Sequence, residues 1–456
     1  MPMEIASREL DSRLLLATLA LARGFEVVLG QKWLIERNVD DMPPGIYLSK
    51  TLTQRDARAM ARAKEKGYLI AAIEEEVPGL VTKPDELRWI ADEAVRTADA
   101  IFIGGETNAQ AMKTRFPYAA DHVFKTLNPR WDLLRPNLRH IHDGEADAIR
   151  ARYGRFILIN TNFGWTNSEK GPAEFMVQEQ ARQGKIDLST AETRQFLDDF
   201  LRMERENHTA IVSIVEQVLA SDPDVSIVLR PHPSERLQTW TEHFAGSKRL
   251  LVVREGPSVP WIMASELLIH TNCTTGVEAI GLDKPALCVQ ATTSPVVARY
   301  LANRVNPVAS SIAEGVEMIL KHLSGKQRID YSPAMRSCFV DSMSFSPDHL
   351  GAEQIIDQLE SLVRTREGGA SVGSKCSAWR TSWDYQWNLK DKNVRGTLFP
   401  DFSNAQILAS LTRMARTLDI NLKPSVYHCG SKVVLLTEKK LGAMAHFRQF
   451  IGSTFK

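Results

Sequence analysis

The sequence contains few cysteines and no long apolar run. Its five cysteines (Cys273, Cys288, Cys338, Cys376 and Cys429) show neither paired spacing nor metal-ligand spacing, so they predict reduced thiols rather than a disulfide framework. No stretch approaches the roughly 20 apolar residues of a membrane-spanning helix. The apolar segment 14–22 is short and follows several charged residues, which argues against a signal peptide. We therefore expect a cytoplasmic protein.

Metal-ligand clusters and a strong net charge are also missing. The eleven histidines are scattered, so we expect neither a metal nor a cofactor. The net charge is +1, yet residues 371–456 hold 13 basic and 5 acidic side chains, against 43 and 50 in the first 370 residues. The acidic body argues against a nucleic-acid partner. The basic tail predicts an acidic partner, for example the inner face of a membrane.

Short apolar segments alternate with helical patterns along the chain, in two series. They cover residues 25–29, 68–73, 100–103, 156–160, 225–229, 250–253, 267–270 and 286–289. At 456 residues the chain is too long for one core. The alternation predicts an α/β protein of two Rossmann-like domains that face a central cleft. We expect domains at 1–135 and 150–330, a helical segment at 331–370 and a basic extension at 371–456.

Helical patterns separate these segments, at residues 11–23, 54–66, 85–97, 190–220, 259–265, 275–282, 311–323 and 352–366. Residues 127–136 carry two prolines and predict a linker, and residues 165–189 predict an irregular loop. In the extension, Trp379, Trp383 and Trp387 recur every four residues. Such a stripe either packs on the body of the protein or anchors it peripherally at a membrane interface.

Two polar loops follow strands of the second series. One is Arg230-Pro231-His232-Pro233-Ser234-Glu235, after the predicted strand 225–229. The other is the segment His270–Glu278, which follows the strand 267–270 and opens a helix. In a doubly wound sheet, ligands bind outside the carboxyl ends of the strands. We therefore expect both loops to line one binding site.

The second loop predicts an anion site. Thr274 and Thr275 fall at the cap and first turn of the helix, where backbone N–H groups and the helix dipole favour phosphate. Asn272 and Gly276 belong to the same segment. Glu278 lies one turn further and is placed to accept hydrogen bonds from ribose hydroxyls. Alternatively, Thr274 is only a helix cap.

The first loop adds a cation and further donors. Arg230 can pair with a charge and His232 can donate to a phosphate oxygen, with Ser234 beside it. Pro231 and Pro233 are alternatively only turn residues. The two loops together favour a phosphate-bearing ligand such as a nucleotide.

The order of these segments resembles that of the bacterial surface carbohydrate biosynthesis proteins, which are similar to CDP-glycerol glycerophosphotransferases and to glycosyltransferases of the B fold. The resemblance covers about residues 3–330. Besides the two loops, its pieces are Arg8–Arg13, Asn128–Asp132 and Leu158–Phe163. That family has an opening strand before the first piece. Only residues 1–5 are available for it here, so the strand is very short or the natural chain starts upstream.

A second resemblance concerns the sugar donor. Bacterial transferases that use CMP-activated keto-acid sugars, such as Kdo, often show an acidic pair before glycine, then His-Pro, then two hydroxyl residues. Here Glu74-Glu75-Glu76, His232-Pro233 and Thr274-Thr275 take these places, although Val77-Pro78 separates the acids from Gly79. The resemblance implies a general base among the acids. Glu75 is our first candidate, and Glu9, on the first helix, is the second.

These resemblances imply a metal-independent glycosyltransferase of surface polysaccharide, capsule or lipopolysaccharide assembly, in which His232 neutralises the departing phosphate. The nucleotide-sugar is then a co-substrate, and the acceptor is a glycan or a lipid-linked glycan. Three alternatives stay open. They are a CDP-glycerol-type glycerophosphotransferase, a non-hydrolysing UDP-sugar 2-epimerase, and a non-catalytic partner that docks through the basic tail.

Overall fold

The computed structural model describes residues 1–42, 44–75, 87, 89–182, 186–346, 348–366, 399, 401–430 and 432–438. These residues form two compact units. The first holds the described residues up to 133 together with those from 346 onward, and the second holds residues 134–345. The predicted tryptophan stripe at Trp379, Trp383 and Trp387 lies outside the described residues, as does Glu76.

The described strands confirm the two predicted series and add to them. They are β1 (Pro2–Met3), β2 (Val27–Gln31), β3 (Ile46–Ser49), β4 (Leu69–Ile73), β5 (Ala100–Ile103), β6 (Val123–Lys125), β7 (Ile157–Asn160), β8 (Ile227–Arg230), β9 (Leu250–Val252), β10 (Leu267–His270), β11 (Ala286–Val289), β12 (Val308–Ala309), β13 (Ser425–Gly430) and β14 (Val433–Thr437). The sequence patterns missed β3, β6, β12, β13 and β14.

The helices follow in the same order. They are α1 (Ala6–Ala22), α2 (Lys32–Arg37), α3 (Gln54–Glu65), α4 (Asp92–Thr97), α5 (Glu106–Arg115), α6 (Pro129–Asp132), α7 (Asp143–Tyr153), α8 (Ala173–Arg182), α9 (Ala191–Ser221), α10 (Leu237–His243), α11 (Ser258–Ala264), α12 (Thr274–Gly281), α13 (Leu301–Arg304), α14 (Ile312–Leu323), α15 (Pro333–Met343), α16 (Gly351–Arg366) and α17 (Asn404–Thr417). The prediction of an irregular loop at 165–189 was wrong in its middle part, where residues 173–182 form α8.

The second unit is built on a six-stranded sheet in the order β12-β11-β10-β7-β8-β9. All of its strand pairs are parallel. The chain runs outward from β7 in one direction and from β10 in the other, so the strand order reverses between these two neighbours. In such sheets the crevice outside the carboxyl ends of the two central strands is the usual place for a ligand.

One face of this sheet packs against the long helix α9. Ile211, Ile214 and Val215 of that helix join Ile159 and Leu229 of the sheet in one buried apolar core. The helix starts where the hydroxyl of Thr190 accepts a hydrogen bond from the N–H of Thr193, as an N-cap does. The apolar stripe along α9 therefore fixes this helix against the sheet.

The first unit contains a four-stranded parallel sheet in the order β3-β4-β5-β6. The two sheets just described confirm the predicted α/β class with parallel sheets. The predicted linker at 127–136 contains the short helix α6. Its buried Asp132 accepts hydrogen bonds from the N–H groups of Gly351 at 3.1 Å and Ala352 at 2.8 Å, and so caps α16.

A second, mixed sheet of the first unit has the order β1-β2-β14-β13. The opening strand β1 spans two residues and pairs in parallel with β2. On the other side of β2, β14 runs antiparallel and forms a hairpin with β13. A Cβ on Gly30 of β2 would lie 2.5 Å from the carbonyl oxygen of Lys432. The described part of the predicted extension thus completes a sheet of the first unit.

Candidate functional site

A row of polar residues marks the carboxyl edge of the sheet in the second unit. Arg230, Asn160 and His270 end three neighbouring strands and lie side by side in the register, next to Cys288 of β11. The preceding row consists of apolar residues, namely Leu229, Ile159, Ile269 and Leu287. The apolar core therefore stops at one level across the sheet, and the loops beyond it carry the polar side chains.

Glu235 organises the loop that follows β8. Its side chain is fully buried and accepts hydrogen bonds from the hydroxyl of Thr161 at 2.7 Å, the N–H of His232 at 3.0 Å and the indole N–H of Trp240 at 3.0 Å. These bonds join the loops after β7 and β8 to helix α10. The sequence analysis included Glu235 in the loop after β8 but predicted no role for it. Its position between a loop proline and a tryptophan five residues later is the sequence feature that could have indicated a buried acceptor.

His232 lies exposed on this loop in a defined tautomer. The N–H of Ser234 donates to its Nδ1 at 3.2 Å, so Nδ1 is an acceptor and the neutral ring carries its proton on Nε2. The Ser234 hydroxyl also lies 2.7 Å from Nδ1. A Cβ on Gly164 would come within 2.3 Å of that hydroxyl oxygen, so a larger residue there would displace the Ser234 hydroxyl. Nε2–H is therefore the side-chain donor that His232 offers to a ligand.

Arg230 makes contacts that the sequence did not predict. Its Nη2 donates to the carbonyl oxygens of Glu255 at 2.7 Å and Gly256 at 2.9 Å, and the guanidinium lies over the Trp261 ring. Burial lowers the pKa of Arg230 to about 10. In this structure Arg230 shapes the turn after β9, and its pairing with a ligand charge stays a prediction.

The start of α12 lies beyond β10, at the point where the strand order reverses. The N-cap is Cys273 rather than the expected Thr274, and no side chain caps the helix. Thr274 is exposed at the first helical position. The buried Thr275 hydroxyl has no hydrogen-bond partner among the described residues. Backbone N–H groups and one hydroxyl thus converge where an anion would satisfy them.

Gly276 allows α12 to sit against the end of β10. A Cβ at this position would lie 2.3 Å from Nε2 of His270 and 2.8 Å from Nδ2 of Asn306. His270 is fully buried, and burial lowers its pKa to about 3, so the ring is neutral. Gly276 therefore has a packing role, which brings the helix start close to the sheet.

Asn272 and Glu278 flank the helix start. Asn272 has a left-handed backbone (φ 52°) that asparagine tolerates, and its Oδ1 accepts a hydrogen bond from Nδ2 of Asn303 at 2.6 Å. Glu278 is fully buried and accepts a hydrogen bond from the Ser258 hydroxyl at 2.6 Å. Asn272 thus forms the turn into α12, while Glu278 provides a carboxylate one turn inside the helix.

Glu204 of α9 is a residue that sequence reasoning missed. Its Oε2 accepts hydrogen bonds from the N–H groups of Trp165 at 3.2 Å and Thr166 at 2.8 Å, and from the Thr166 hydroxyl at 2.9 Å. Burial raises its pKa to about 7. The available signal was its place on the apolar stripe of α9, between Leu201 and Ile211. Glu204 holds the loop after β7, which also carries Gly164.

The raised pKa of Glu204 predicts that the stability of the protein depends on pH. We expect Glu204→Gln to unfold at a higher temperature than the wild type at pH 8 and at a similar temperature at pH 5. The pKa is about 7 in the fold against an ordinary 4.5, so the protonated form favours folding and this advantage is lost as the pH rises through 7. The difference is up to about 3 kcal/mol. Melting curves from pH 4 to 9 measure it, and an equal pH slope in both proteins would contradict this role.

The first unit brings together the other predicted site residues. Glu75 accepts a hydrogen bond from Arg13 at 2.7 Å. Glu9 accepts from the N–H of Glu4 at 2.9 Å and from Nζ of Lys50 at 3.2 Å, next to the start of α1. Both line a cavity of about 10 Å³, room for about one water. Its other lining residues are Arg8, Ser12, Asn128, Arg130 and Trp131.

Residues of the segments Arg8–Arg13 and Asn128–Asp132, both part of the family resemblance, therefore line the same small cavity as Glu75, which follows β4. Glu9 works as a cap of α1 through its bond to the backbone. Glu75 is held by the buried Arg13. A catalytic role of either residue stays a prediction.

In the described part of the chain, no group of three or more His, Cys, Asp or Glu side chains is placed to hold a metal ion. The sequence contains an Asp-x-Asp triplet, Asp222-Pro223-Asp224. It lies in the turn before β8, where Asp222 Oδ1 accepts from the N–H of Asp224 at 2.9 Å. None of the described helices is both long and apolar enough to cross a membrane.

Comparison with known proteins gave structural similarities only. No family model and no curated protein matches the sequence. The Methanocaldococcus jannaschii UDP-GlcNAc 2-epimerase with UDP-GlcNAc and UDP is 14% identical over 72% of this chain and 79% of that chain, with a TM-score of 0.44. The S. aureus MnaA–UDP structure is 12% identical over 81% and 82%, with a TM-score of 0.44. Anabaena Alr3699/HepE with UDP-glucose is 13% identical over 73% and 81%, with a TM-score of 0.38.

Proposed function

We propose that this protein is a glycosyltransferase that binds a nucleotide-activated sugar at the carboxyl edge of the sheet in the second unit. The observation that carries the proposal is the start of α12. No side chain caps this helix, and the buried Thr275 hydroxyl has no partner among the described residues. A phosphate group of the donor would accept hydrogen bonds from the backbone N–H groups at the start of α12 and from the Thr275 hydroxyl.

The surrounding residues suggest how the nucleotide is held. Thr274 and Thr275 bind the phosphate, and Nε2–H of His232 donates to it from the neighbouring loop. Glu278, one turn into the same helix, accepts hydrogen bonds from the ribose hydroxyls. Glu235 and Asn272 bind no ligand in this proposal. They position His232 and the start of α12, respectively.

The same groups would serve the chemical step. The bond between the anomeric carbon and the phosphate oxygen breaks, and its electron pair stays on that oxygen. The helix N-terminus and His232 stabilise the new charge. A bond forms from the acceptor oxygen to the anomeric carbon, and the acceptor proton passes to a base. We propose Glu75 as that base. Glu75 can accept this proton only after its ion pair with Arg13 has broken. The motif order favours surface polysaccharide assembly, in which the acceptor is a glycan or a lipid-linked glycan.

The first test is a nucleotide panel against His232→Ala. We expect one of CMP, CDP and UDP to raise the melting temperature of the wild type, by about 2.7 kcal/mol in stability at 100 times its dissociation constant. The gain should fall strongly in His232→Ala, because a phosphate donor is lost. His140→Ala, which removes an exposed histidine of the same unit paired with Asp143, is the matched control and should behave like the wild type.

The nucleotide that stabilises the protein also selects the reaction. CMP would indicate a CMP-sugar donor and CDP a glycerophosphotransferase. UDP would indicate a UDP-sugar transferase or a 2-epimerase, and only the epimerase converts its UDP-sugar without an acceptor. If no nucleotide has an effect, the proposed site is refuted.

Thr275→Val tests directly whether the Thr275 hydroxyl binds a phosphate of the nucleotide. The hydroxyl has no partner among the described residues, so we expect the variant without ligand to be as stable as the wild type. Nucleotide affinity should fall about tenfold, since one hydrogen bond to a charged group is lost. Thr209→Val is the control, because that hydroxyl donates to the Arg205 carbonyl on α9. Titration calorimetry measures both, and unchanged affinity in Thr275→Val would argue against a phosphate at this position.

A further inference from the structure

The second unit has a cavity at the amino edge of its sheet, opposite the carboxyl edge described above. Its volume is about 840 Å³. Arg155, Glu266 and Lys284, which lie just before β7, β10 and β11, line it together with the ends of α7 and α14. The start of α12 lies instead beyond the carboxyl ends of the strands. The cavity is therefore separate from the proposed nucleotide site.

The lining of this cavity is strongly basic. Its charged side chains are the cations Arg150, Arg155, Lys284 and Arg328 and the single carboxylate Glu266. Burial lowers the pKa of His322, the remaining titratable lining residue, so its ring adds no charge at neutral pH. The lining thus carries an excess of positive charge, which attracts anions.

Two of the cations are already matched within the protein. Arg155 binds Glu266 through two bonds, of 2.6 and 3.0 Å. Arg150 binds Asp147 at 2.6 Å and the carbonyl oxygen of Met263 at 2.6 Å. Arg150 also lies in the last turn of α7, where the helix dipole favours a cation. These two residues have structural reasons to be present.

Lys284 and Arg328 have no such reason. Neither side chain has a hydrogen bond or ion pair with another described residue, and neither residue belongs to a helix. Lys284 is half-buried. Burial lowers its pKa, and Arg150, Arg328 and Arg139 act in the same direction, while Glu266 opposes them. Glu266 is one carboxylate against four cations and is already bound to Arg155, so repulsion between the like charges destabilises the cavity. A bound anion would remove that repulsion.

We propose that this cavity binds a phosphate-bearing anion through Lys284 and Arg328. Two cations match the double charge of a phosphate group, and a space of about 840 Å³ also holds an organic substituent on it. The source of the phosphate is a soluble phosphate ester or the headgroup of an anionic lipid.

The test uses the full chain and inorganic pyrophosphate at constant ionic strength. We expect calorimetry to show binding that is about tenfold weaker in Lys284→Met and in Arg328→Met, because each loses a charge-assisted hydrogen bond. Lys321→Met is the matched control, since Lys321 pairs with Glu317 on α14. Without ligand, Lys284→Met should melt at or above the wild-type temperature. His232→Ala should keep the binding, which separates this cavity from the nucleotide site.

Vesicles distinguish the two sources. Co-sedimentation with phosphatidylglycerol vesicles, but not with phosphatidylcholine vesicles, that is lost in both variants would identify a lipid headgroup. Pyrophosphate binding without vesicle binding would identify a soluble ligand. Equal pyrophosphate affinity in the wild type and both variants would overturn the proposal, as would the absence of binding to pyrophosphate and to either vesicle.

Discussion

A chain truncated after Gly369 is expected not to fold its first unit, whereas a chain truncated after Glu438 should fold. The shorter chain lacks α17 and the β13–β14 hairpin. Strand β14 pairs with β2 from Val433↔Gly30 to Leu436↔Val27. Its removal exposes the edge of β2 and the apolar residues beside it.

The expected loss of folding free energy is comparable to, or larger than, the total stability of a typical domain. Seven fully or almost fully buried apolar side chains disappear, namely Ile407, Leu411, Met414, Val433, Val434, Leu435 and Leu436. Each contributes about 1.5–3 kcal/mol when buried. Their sum exceeds about 10 kcal/mol, while a domain has about 5–15 kcal/mol in total.

Thermal unfolding and limited proteolysis measure the outcome. The chain ending at Glu438 is the control, because it keeps every strand of the mixed sheet and removes only residues 439–456. If the chain ending at Gly369 melts like this control, the pairing of β14 with β2 does not support the fold. Loss of membrane binding in the shorter chain would not identify an anchor, since the fold itself would have changed.

Glu235→Ala is expected to destabilise the second unit by about 3–5 kcal/mol and to abolish nucleotide binding. The substitution leaves the buried N–H of Trp240, the Thr161 hydroxyl and the N–H of His232 without their shared acceptor. Each such group costs about 1–3 kcal/mol. The loop that places His232 would also lose its tie to the loop after β7.

Denaturant unfolding and the nucleotide panel test the two effects separately. Glu235→Gln keeps one acceptor oxygen and should retain part of the stability. Glu242→Ala, on the exposed side of α10, is the matched control and should change neither property. A Glu235→Ala protein of wild-type stability would show that the three donors find other partners. Wild-type nucleotide binding in that protein would show that the loop is positioned by something else.

The local sequence patterns were sufficient for five of the six strands in the sheet of the second unit, all but β12. Each of β7, β8 and β10 is a short apolar run that ends at a polar residue, and this boundary is visible without knowledge of neighbouring strands. The carboxyl-edge rule then predicted that the loops at 230–235 and 270–278 follow strands at the same edge of the sheet, as they do. The N-cap was wrong by one residue, which is the usual scale of such errors.

The partners of individual side chains could not be predicted in the same way. Glu235, Asp132 and Glu204 each accept backbone or side-chain donors that lie far away in the sequence. The sequence does not distinguish a carboxylate that acts as a catalytic group from one that is a buried hydrogen-bond acceptor. Glu9 shows this ambiguity, because the sequence indicated a base and the structure shows a carboxylate bound to the start of α1.

The sequence by itself determined the α/β class, five of the six strands and four of the nine described helices of the second unit, and the two polar loops that follow β8 and β10. These features depend on apolar periodicity and on the order of elements, which are local properties of the chain. Only the tertiary structure decided that β14 completes the sheet of β2, and that Lys284 and Arg328 line one basic cavity. Such contacts join residues far apart in the chain, and loop closure over that distance leaves no local pattern in the sequence.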